Sequence, residues 1–242
     1  MHALVRGGLA VAFLLVASTS ALAHVGLASG PAQANKSQKI TFSVGHGCET
    51  GAAHDTWKVR VAIPAGVTSV RALTSDFGKA TVIKDNNDVV TAVEWVRNVD
   101  DLLDEDTNYY ELSIRARVPD AAFTQLQFNI TQTCRTPGVL GTEGEPVMWD
   151  QPPGATSGNP APILTIVPAR TSAGGWNKFT IPASAPVAAD KLGVYFGDAL
   201  IVWKGSSAYS ANPNTAMQIA NTAGVTPLTS GLGAGEEVWV RY

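Results

Sequence analysis

The sequence has little charge and no basic patch. Charged residues make up 15% of its 242 residues, and the formal net charge is −3. A mildly acidic chain without a basic stripe has no means of neutralising phosphates, which argues against nucleic acid as a partner. The sequence also lacks a Ser/His/Asp order, a Gly-rich phosphate loop and a paired-carboxylate arrangement, so we expect the protein not to be an enzyme.

Long hydrophobic runs are also missing. The apolar run "LAVAFLLVA", residues 9–17, is too short to span a bilayer, and no later run is longer. The run follows the polar and positively charged His2 and Arg6 and precedes "ALA", the small-x-small pattern of a signal peptidase site. We therefore predict a signal peptide at 1–23, a mature chain that starts at His24, and no membrane span after cleavage. Cleavage one residue to either side is the alternative. The predicted location is a bacterial periplasm or the cell exterior.

Cysteine is scarce, with only Cys48 and Cys134. Compartments outside the cytoplasm are oxidising, so one disulfide between the two is favoured over two free thiols. We interpret both cysteines as structural residues and not as metal ligands.

Hydrophobic residues alternate with a period of two over most of the chain, which predicts β-strands separated by Gly, Pro, Asn and Asp. Many short strands of this kind predict a β-sandwich or a related barrel. The acidic stretch "DDLLDEDT" is predicted to be a loop. The strand candidates before residue 168 are "KITFSV", "TWKVRVAIP", "SVRALT", "ATVIK", "VVTAVEWV", "YYELSIRARVP", "QLQFNITQTC", "PVMWD" and "PILTIVP".

The composition changes near residue 170, where two Gly/Pro-rich connections flank the last of these strands. We predict one domain over 24–167 and a small α+β domain over 168–242. The second contains the strand candidates "ALIVWKG" and "EEVWVRY" and one helix. That helix has Asn212 or Ser210 as its cap, Pro213 in its first turn and Gly224 as its stop.

Cleavage before His24 would create a metal-binding group. A free N-terminal histidine offers its α-amine and ring Nδ1 to one metal ion, and Cu(II) favours such nitrogen ligands in a tetragonal arrangement. The alternative interpretation is that His24 merely marks the point of cleavage.

A second cluster of polar residues lies in "VGHGCETGAAHDTW", residues 44–57. It is either a solvated turn or the source of an oxygen ligand for the N-terminal histidine. Cys48 would then fix this loop to the strand that ends at Cys134. His46 and His54 are alternative ligands from the same loop.

Several motifs occur together in a characteristic order: "AHVGL" after the cleavage site, "FSVGHGCETGAAHDTWKVRVAIPAGV", "VMWDQPP" and "NPAPILTI". Over residues 24–167 they resemble the YcnI-like family of exported copper-binding proteins. The resemblance implies an immunoglobulin- or cupredoxin-like β-sandwich that holds Cu(II) in a mono-histidine brace. On this chain the implied residues are His24, the carboxylate of Glu49, and a tryptophan beside the metal, best matched by Trp149 with Trp95 as the other candidate.

The function predicted on this basis is copper trafficking or homeostasis. The copper ion is the implied ligand, and a membrane copper transporter or a periplasmic copper chaperone is a candidate partner. Two alternatives stay open, a copper-dependent oxidase or oxygenase and a metal-free extracellular interaction module.

Trp149 lies beside Asp150 in a polar stretch and is expected to be exposed, whereas Trp57, Trp203 and Trp239 alternate within apolar strands and are expected to be core. The C-terminal domain resembles an extension of some bacterial relatives and has no implied role beyond packing or a partner contact.

Overall fold

The structure, a computed structural model, describes residues 25–48, 53–101, 108–136, 142–172 and 174–242. The predicted signal peptide lies outside these residues, as do His24 and Glu49. No helix in the described ranges is both long and apolar enough to cross a membrane.

Thirteen strands precede residue 168 in the described part of the chain. They are β1 (Val25–Leu27), β2 (Ala32–Gln33), β3 (Ser37–Val44), β4 (Asp55–Ala62), β5 (Thr68–Ala72), β6 (Lys79–Lys84), β7 (Val90–Val96), β8 (Tyr110–Arg117), β9 (Thr124–Gln127), β10 (Ile130–Arg135), β11 (Val147–Gln151), β12 (Asn159–Pro160) and β13 (Ile163–Val167). A short 3-10 turn, Val99–Asp101, follows β7. It begins the acidic stretch predicted to be a loop, most of which lies outside the described residues.

Two of the sheets pack face to face. One has the strand order β1-β3-β8-β5 and the other β12-β11-β10-β4-β7-β6. Alternate side chains of each sheet point inward, as the period of two predicts. Phe42 and Leu112 are directly opposed in the first sheet, and Val61 and Ile130 in the second, all with no exposed surface. A third, three-stranded sheet has the order β2-β13-β9. The β-sandwich predicted from the alternation is therefore confirmed.

One strand prediction is wrong in an informative way. "QLQFNITQTC" forms two strands, because β9 pairs with β13 while β10 pairs with β4 and β11. At the break, the amide of Phe128 donates to the carbonyl of Pro162, and the carbonyl of Asn129 accepts from the amide of Ala62. The chain thus changes sheets between Phe128 and Asn129 while its hydrophobic alternation continues.

The chain after residue 168 forms one further sheet and two short α-helices. Its elements are β14 (Trp176–Thr180), a 3-10 turn (Ala189–Lys191), α1 (Leu192–Phe196), β15 (Ile201–Lys204), β16 (Ser207–Tyr209), α2 (Pro213–Asn221), β17 (Thr226–Pro227) and β18 (Glu237–Arg241). The strand order is β14-β18-β15-β16-β17. The predicted α+β character is confirmed. The second Gly/Pro-rich connection, residues 168–186, was expected to have no strand, and this expectation is wrong because β14 lies within it.

The predicted helix is α2. Asn212 is its N-cap, and the Asn212 side chain accepts hydrogen bonds from the amides of Asn214 and Thr215. The helix ends at Asn221, three residues before the predicted stop at Gly224.

Two hydrophobic cores follow the two parts of the chain. The larger fills the sandwich, and the smaller is built mainly from residues after Val167. Phe123 of the first part belongs to the smaller core, where its ring lies 5.5 Å from that of Tyr195 and 5.7 Å from that of Phe196 between centroids. The cores therefore adjoin, and the division of the chain into two domains at residue 167 stays a prediction.

Candidate metal site at the His46 loop

The polar cluster predicted from the sequence lies at one end of the sandwich. β3 ends at Val44, and residues 45–48 lead away from it towards the start of β4 at Asp55. β1 runs antiparallel to β3 with Val25 opposite Val44, so the described chain begins beside this loop. A cleft of about 310 Å³ is lined there by His46, Gly47, Cys48 and His54.

A disulfide joins Cys48 to Cys134, and the prediction of this bond is confirmed. The bridge ties the His46 loop to β10 across 86 residues of sequence. The amide of Cys48 also donates to the Cys134 sulfur at 3.0 Å and to the carbonyl of His54 at 3.0 Å. The chain has no free cysteine, so its sulfur atoms offer no thiolate to a metal.

His46 is half-buried, and its ring lies against its own loop. The Gly47 carbonyl is 2.7 Å from Nδ1 and accepts its proton. This bond makes Nε2 the basic nitrogen of the neutral ring. His54 is also half-buried, with Nδ1 at 3.4 Å from the carbonyl of Cys48. The structure therefore brings the two alternative histidine ligands to the same cleft.

Gln132 links the loop to the interior, a role that the sequence reasoning missed. Its Nε2 donates to the His46 carbonyl at 3.1 Å and to Thr56 Oγ1 at 2.9 Å, while its Oε1 accepts from the Trp149 indole at 3.3 Å. The side chain is only 2% exposed. Gln132 stands two residues after Ile130 in β10, so the alternation that points Ile130 inward also points Gln132 inward, and this was the signal in the sequence.

The expected exposure of Trp149 is wrong, because the side chain is 3% exposed and belongs to the sandwich core. Trp149 pairs with Ile130 on β10, and opposed residues of an antiparallel pair share a face of the sheet. Gln132 lies two residues further along β10 on that same face. The Trp149 indole therefore lies beneath the His46 loop and donates a hydrogen bond to Gln132, which in turn bonds the loop.

Trp95, the other candidate tryptophan, has no exposed surface and lies in the same core. It pairs with Val59 on β4, and Val59 in turn pairs with Gln132, so one strand separates Trp95 from Gln132. Within the described part of the chain, its indole nitrogen has no hydrogen-bond partner. The contact with Gln132 distinguishes Trp149 as the tryptophan connected to the loop.

Arg97 is a second residue that the sequence reasoning missed. It is 6% exposed, and its guanidinium donates to the carbonyl of Thr56 at 3.3 Å and to the hydroxyl of Tyr110 at 2.9 Å. The guanidinium carbon also lies 5.0 Å from the centre of the Tyr110 ring. These contacts fix the start of β4 beside the cleft.

Described residues alone do not assemble a metal site. No group of three or more His, Cys, Asp or Glu side chains in the described ranges could hold a metal ion. Of the predicted set, His24 and Glu49 lie outside those ranges, and Trp149 lies within them. The residues that line the cleft offer imidazole nitrogens and backbone carbonyls, and the cysteine among them is bonded to Cys134.

The fold and site define a disulfide-linked β-sandwich with a histidine-bearing loop at one end. A family model described as "Domain of unknown function (DUF1775)" matches residues 24–166, and the chain belongs to this family. It is the family that the sequence motifs resemble, since the YcnI-like family is known as DUF1775. The match does not include the C-terminal part, whose relation to other proteins stays a prediction.

Two solved structures are similar to the chain. One is an uncharacterized protein from Nocardia farcinica described as having an immunoglobulin-like fold, with 22% identity and a TM-score of 0.48 over 61% of this chain and 99% of that one. The other is the Actinomyces fimbrial adhesin FimA, with 10% identity and a TM-score of 0.34 over 87% of this chain and 70% of that one. At these scores neither likeness bears on function. A comparison with curated proteins found no match.

Proposed function

We propose that this protein is an exported copper-binding protein that holds Cu(II) at its mature N-terminus and acts in copper trafficking or homeostasis. In this proposal His24 binds the ion through its α-amine and Nδ1, and Glu49 supplies a carboxylate oxygen. Trp149 lies beside the site under the loop that leads to Glu49. The bound ion is cargo, passed to or from a membrane copper transporter or a periplasmic copper chaperone.

The pairing of β1 with β3 is the observation that carries the proposal. Val25, the residue bonded to His24, lies opposite Val44. The residue to which His24 is attached is therefore held at this same end of the sandwich. Cys48 is bonded to Glu49 and stands four residues beyond Val44, which is at most about 14 Å of extended chain. Each predicted ligand is thus attached to a residue held at one end of the fold.

The donor chemistry favours Cu(II) over Cu(I). Thiolate and thioether ligands select Cu(I), whereas amine, imidazole and carboxylate ligands suit Cu(II). Both cysteines are consumed by the disulfide. An N-terminal histidine with a neighbouring carboxylate provides the nitrogen and oxygen set that remains.

The disulfide and Gln132 support the geometry of such a site. The disulfide fixes Cys48, the residue before Glu49, to β10. Gln132 links the His46 carbonyl to the Trp149 indole by hydrogen bonds to both. A metal site holds its geometry when the residues around its ligands are themselves fixed by packing and hydrogen bonds. The loop therefore has a preformed scaffold on which the carboxylate can meet the N-terminus.

The test compares the chain that starts at His24 with the same chain carrying one additional alanine before His24. The extension converts the chelating amine into a peptide nitrogen, so we expect it to abolish tight Cu(II) binding in a competition titration. Circular dichroism should be unchanged, because β1 starts after the altered residue. Since the ligands must lose their protons to bind, affinity should also fall as the solution becomes acidic.

Three further variants locate the ligands. Glu49→Gln should weaken binding less than the extension does, and Gln132→Leu should weaken it by about tenfold or more, because supporting residues typically contribute 10–100-fold. His46→Ala is the matched control and should retain the electron paramagnetic resonance spectrum of the native complex. An extended chain that binds Cu(II) as tightly as the native one, with the same spectrum, would contradict the N-terminal site and make the His46 and His54 cleft the leading candidate.

The proposal also states that the copper is carried and not used in catalysis. Oxygen consumption by the copper-loaded protein should equal that of the apoprotein plus a matched copper chelate when ascorbate is the reductant. A copper-dependent turnover abolished by the alanine extension would instead support an oxidase or oxygenase.

A further inference from the structure

Three tryptophans share the outer face of the C-terminal sheet. Trp239 on β18 lies directly opposite Trp203 on β15 and, on its other side, opposite Lys178 on β14. Trp176 stands two residues before Lys178, so it points to the same side of the sheet. The expectation that Trp203 and Trp239 are core residues is therefore wrong, because the other face of this sheet, with Val202, Val238 and Val240, fills the core.

The indoles form one exposed surface. Trp176 is 45% exposed and Trp239 is 49% exposed, while Trp203 is half-buried. Together with Gly205 they line a shallow cleft of about 460 Å³. No heavy atom lies within 4 Å of the position where a Cβ on Gly205 would be, so the cleft is open at this turn. Exposed apolar patches of this kind mark interaction sites, and tryptophan is prominent among residues that contribute most to binding.

The charged side chains on the same face as the indoles include one ion pair and the cationic Arg241. The Lys178 ammonium lies 2.7 Å from a Glu237 carboxylate oxygen, and Arg241 lies opposite Trp176 on the same face. Lys178 also lies 5.9 Å from the Trp239 ring centre. A cationic ligand would meet Arg241 and a ring that already has an ammonium beside it, and a polyanion would meet the Glu237 carboxylate. The face is therefore complementary to an uncharged ligand with apolar faces.

We propose that this face, which we call the tryptophan face and define as Trp176, Trp203 and Trp239, binds an uncharged, extended glycan chain of β-1,4-linked hexopyranose units. The flat C–H faces of such sugar rings pack against indoles, while their hydroxyl groups point sideways towards water or charged side chains. The three indoles stand on three adjacent strands and so extend over about 10 Å, enough for more than one sugar ring. Lys178, Glu237 and Arg241 lie on the same face and offer hydrogen bonds to the hydroxyl groups.

The experiment mixes the full-length chain with insoluble chitin and insoluble cellulose and measures the protein left in solution. Soluble chitohexaose and cellohexaose then give dissociation constants from tryptophan fluorescence. We expect at least one polysaccharide to deplete the native chain. Trp239→Ala should weaken binding by about tenfold, the scale measured for one aromatic stacking contact. The double variant Trp176→Ala/Trp239→Ala should abolish depletion, and Trp239→Phe should retain part of the binding because it keeps a ring.

Two matched controls distinguish binding by the tryptophan face from nonspecific hydrophobic adsorption. Met217→Ala removes a 58% exposed apolar side chain from α2 of the same part of the chain, and Tyr109→Ala removes a 61% exposed aromatic ring from the sandwich. Neither should change glycan binding. Glu49→Gln should also leave it unchanged, so a failure of the copper proposal is distinguishable from a failure of this one. Circular dichroism of each variant verifies that the fold is retained.

Several results would overturn the proposal. The first is that neither polysaccharide depletes the native chain, and the second is that the double variant is depleted as strongly as the native chain. Tryptophan-dependent binding of a decaproline peptide, without glycan binding, would assign the face to proline-rich segments. A native dimer that Trp239→Ala converts to a monomer, again without glycan binding, would assign it to a second copy of this chain.

Discussion

Removal of the Cys48–Cys134 disulfide gives the sharpest test of what holds the sandwich together. The bridge closes a loop of 86 residues, and the chain-entropy relation assigns a loop of this length a stabilisation of about 4.6 kcal/mol at 25 °C. Measured effects are commonly smaller, because unfolded chains retain residual structure. We therefore expect Cys48→Ala/Cys134→Ala to lower the free energy of unfolding by about 2 to 5 kcal/mol. Alanine is preferable to serine here, since both sulfurs are buried and a hydroxyl would need a new partner.

The assay is urea unfolding of the oxidised native chain and the double-alanine variant, with free energies from linear extrapolation. The native chain reduced with a phosphine serves as a control and should match the variant, because both lack the bridge. The slope with urea should be steeper without the bridge, because the unfolded chain is then less compact and exposes more surface. A loss below about 1 kcal/mol, the size of an ordinary single substitution, would refute the view that this bridge is a main restraint on the chain. Copper affinity should fall in the same variant, because Cys48 anchors the loop that leads to Glu49.

Two other predictions concern the C-terminal part. Asn177 is 1% exposed, its Oδ1 accepts from the amides of Thr171 and Ser172 and from the Thr171 hydroxyl, and its Nδ2 donates to the carbonyls of Ser172 and Gly175. Asn177→Leu should therefore lower the free energy of unfolding by about 2–4 kcal/mol in urea, while Asn214→Leu on exposed α2 surface should change it by less than about 0.5 kcal/mol; equal effects would contradict the role of Asn177. Burial raises the pKa of Tyr242, although Arg170 beside it lowers the pKa in part. Because the pKa of Tyr242 is higher in the folded state, its protonated phenol contributes to the free energy of unfolding. This contribution is complete below the unfolded-state pKa of about 10 and is lost as the pH rises through the folded-state pKa. The free energy of unfolding should thus fall more steeply above about pH 10 for the native chain than for Tyr242→Phe, and parallel curves would count against this.

The hydrophobic alternation predicted where most of the long strands lie, because a period of two reports only the extended backbone. It did not report sheet membership, and so "QLQFNITQTC" was taken as one strand. The change of sheets depends on two hydrogen bonds between residues distant in sequence. The amide of Phe128 donates to the carbonyl of Pro162, and the amide of Ala62 donates to the carbonyl of Asn129. The disulfide was predictable because a chain with two cysteines allows a single intramolecular pairing.

The candidate site was predictable as a loop but not as a three-dimensional arrangement. The sequence placed His46, Cys48 and His54 in one loop, and the structure brings them to one cleft. The support from Gln132 needed the pairing of β10 with β4 and β11, which no local pattern specifies. The roles of His24 and Glu49 stay predictions that the copper titration tests.

The tryptophans show most clearly what each level decides. In "EEVWVRY" the sequence by itself determined that Trp239 and its valine neighbours point to opposite faces of a strand, because successive side chains alternate. It did not determine which face is covered. Only the tertiary structure decided this, by packing Val238 and Val240 into the smaller core and leaving Trp239 half exposed to solvent. In "VMWDQ" the same alternation had the opposite outcome, since the packing of two sheets buried Trp149 and left Met148 exposed. Alternation is a property of one strand, whereas burial depends on what the rest of the chain places over each face.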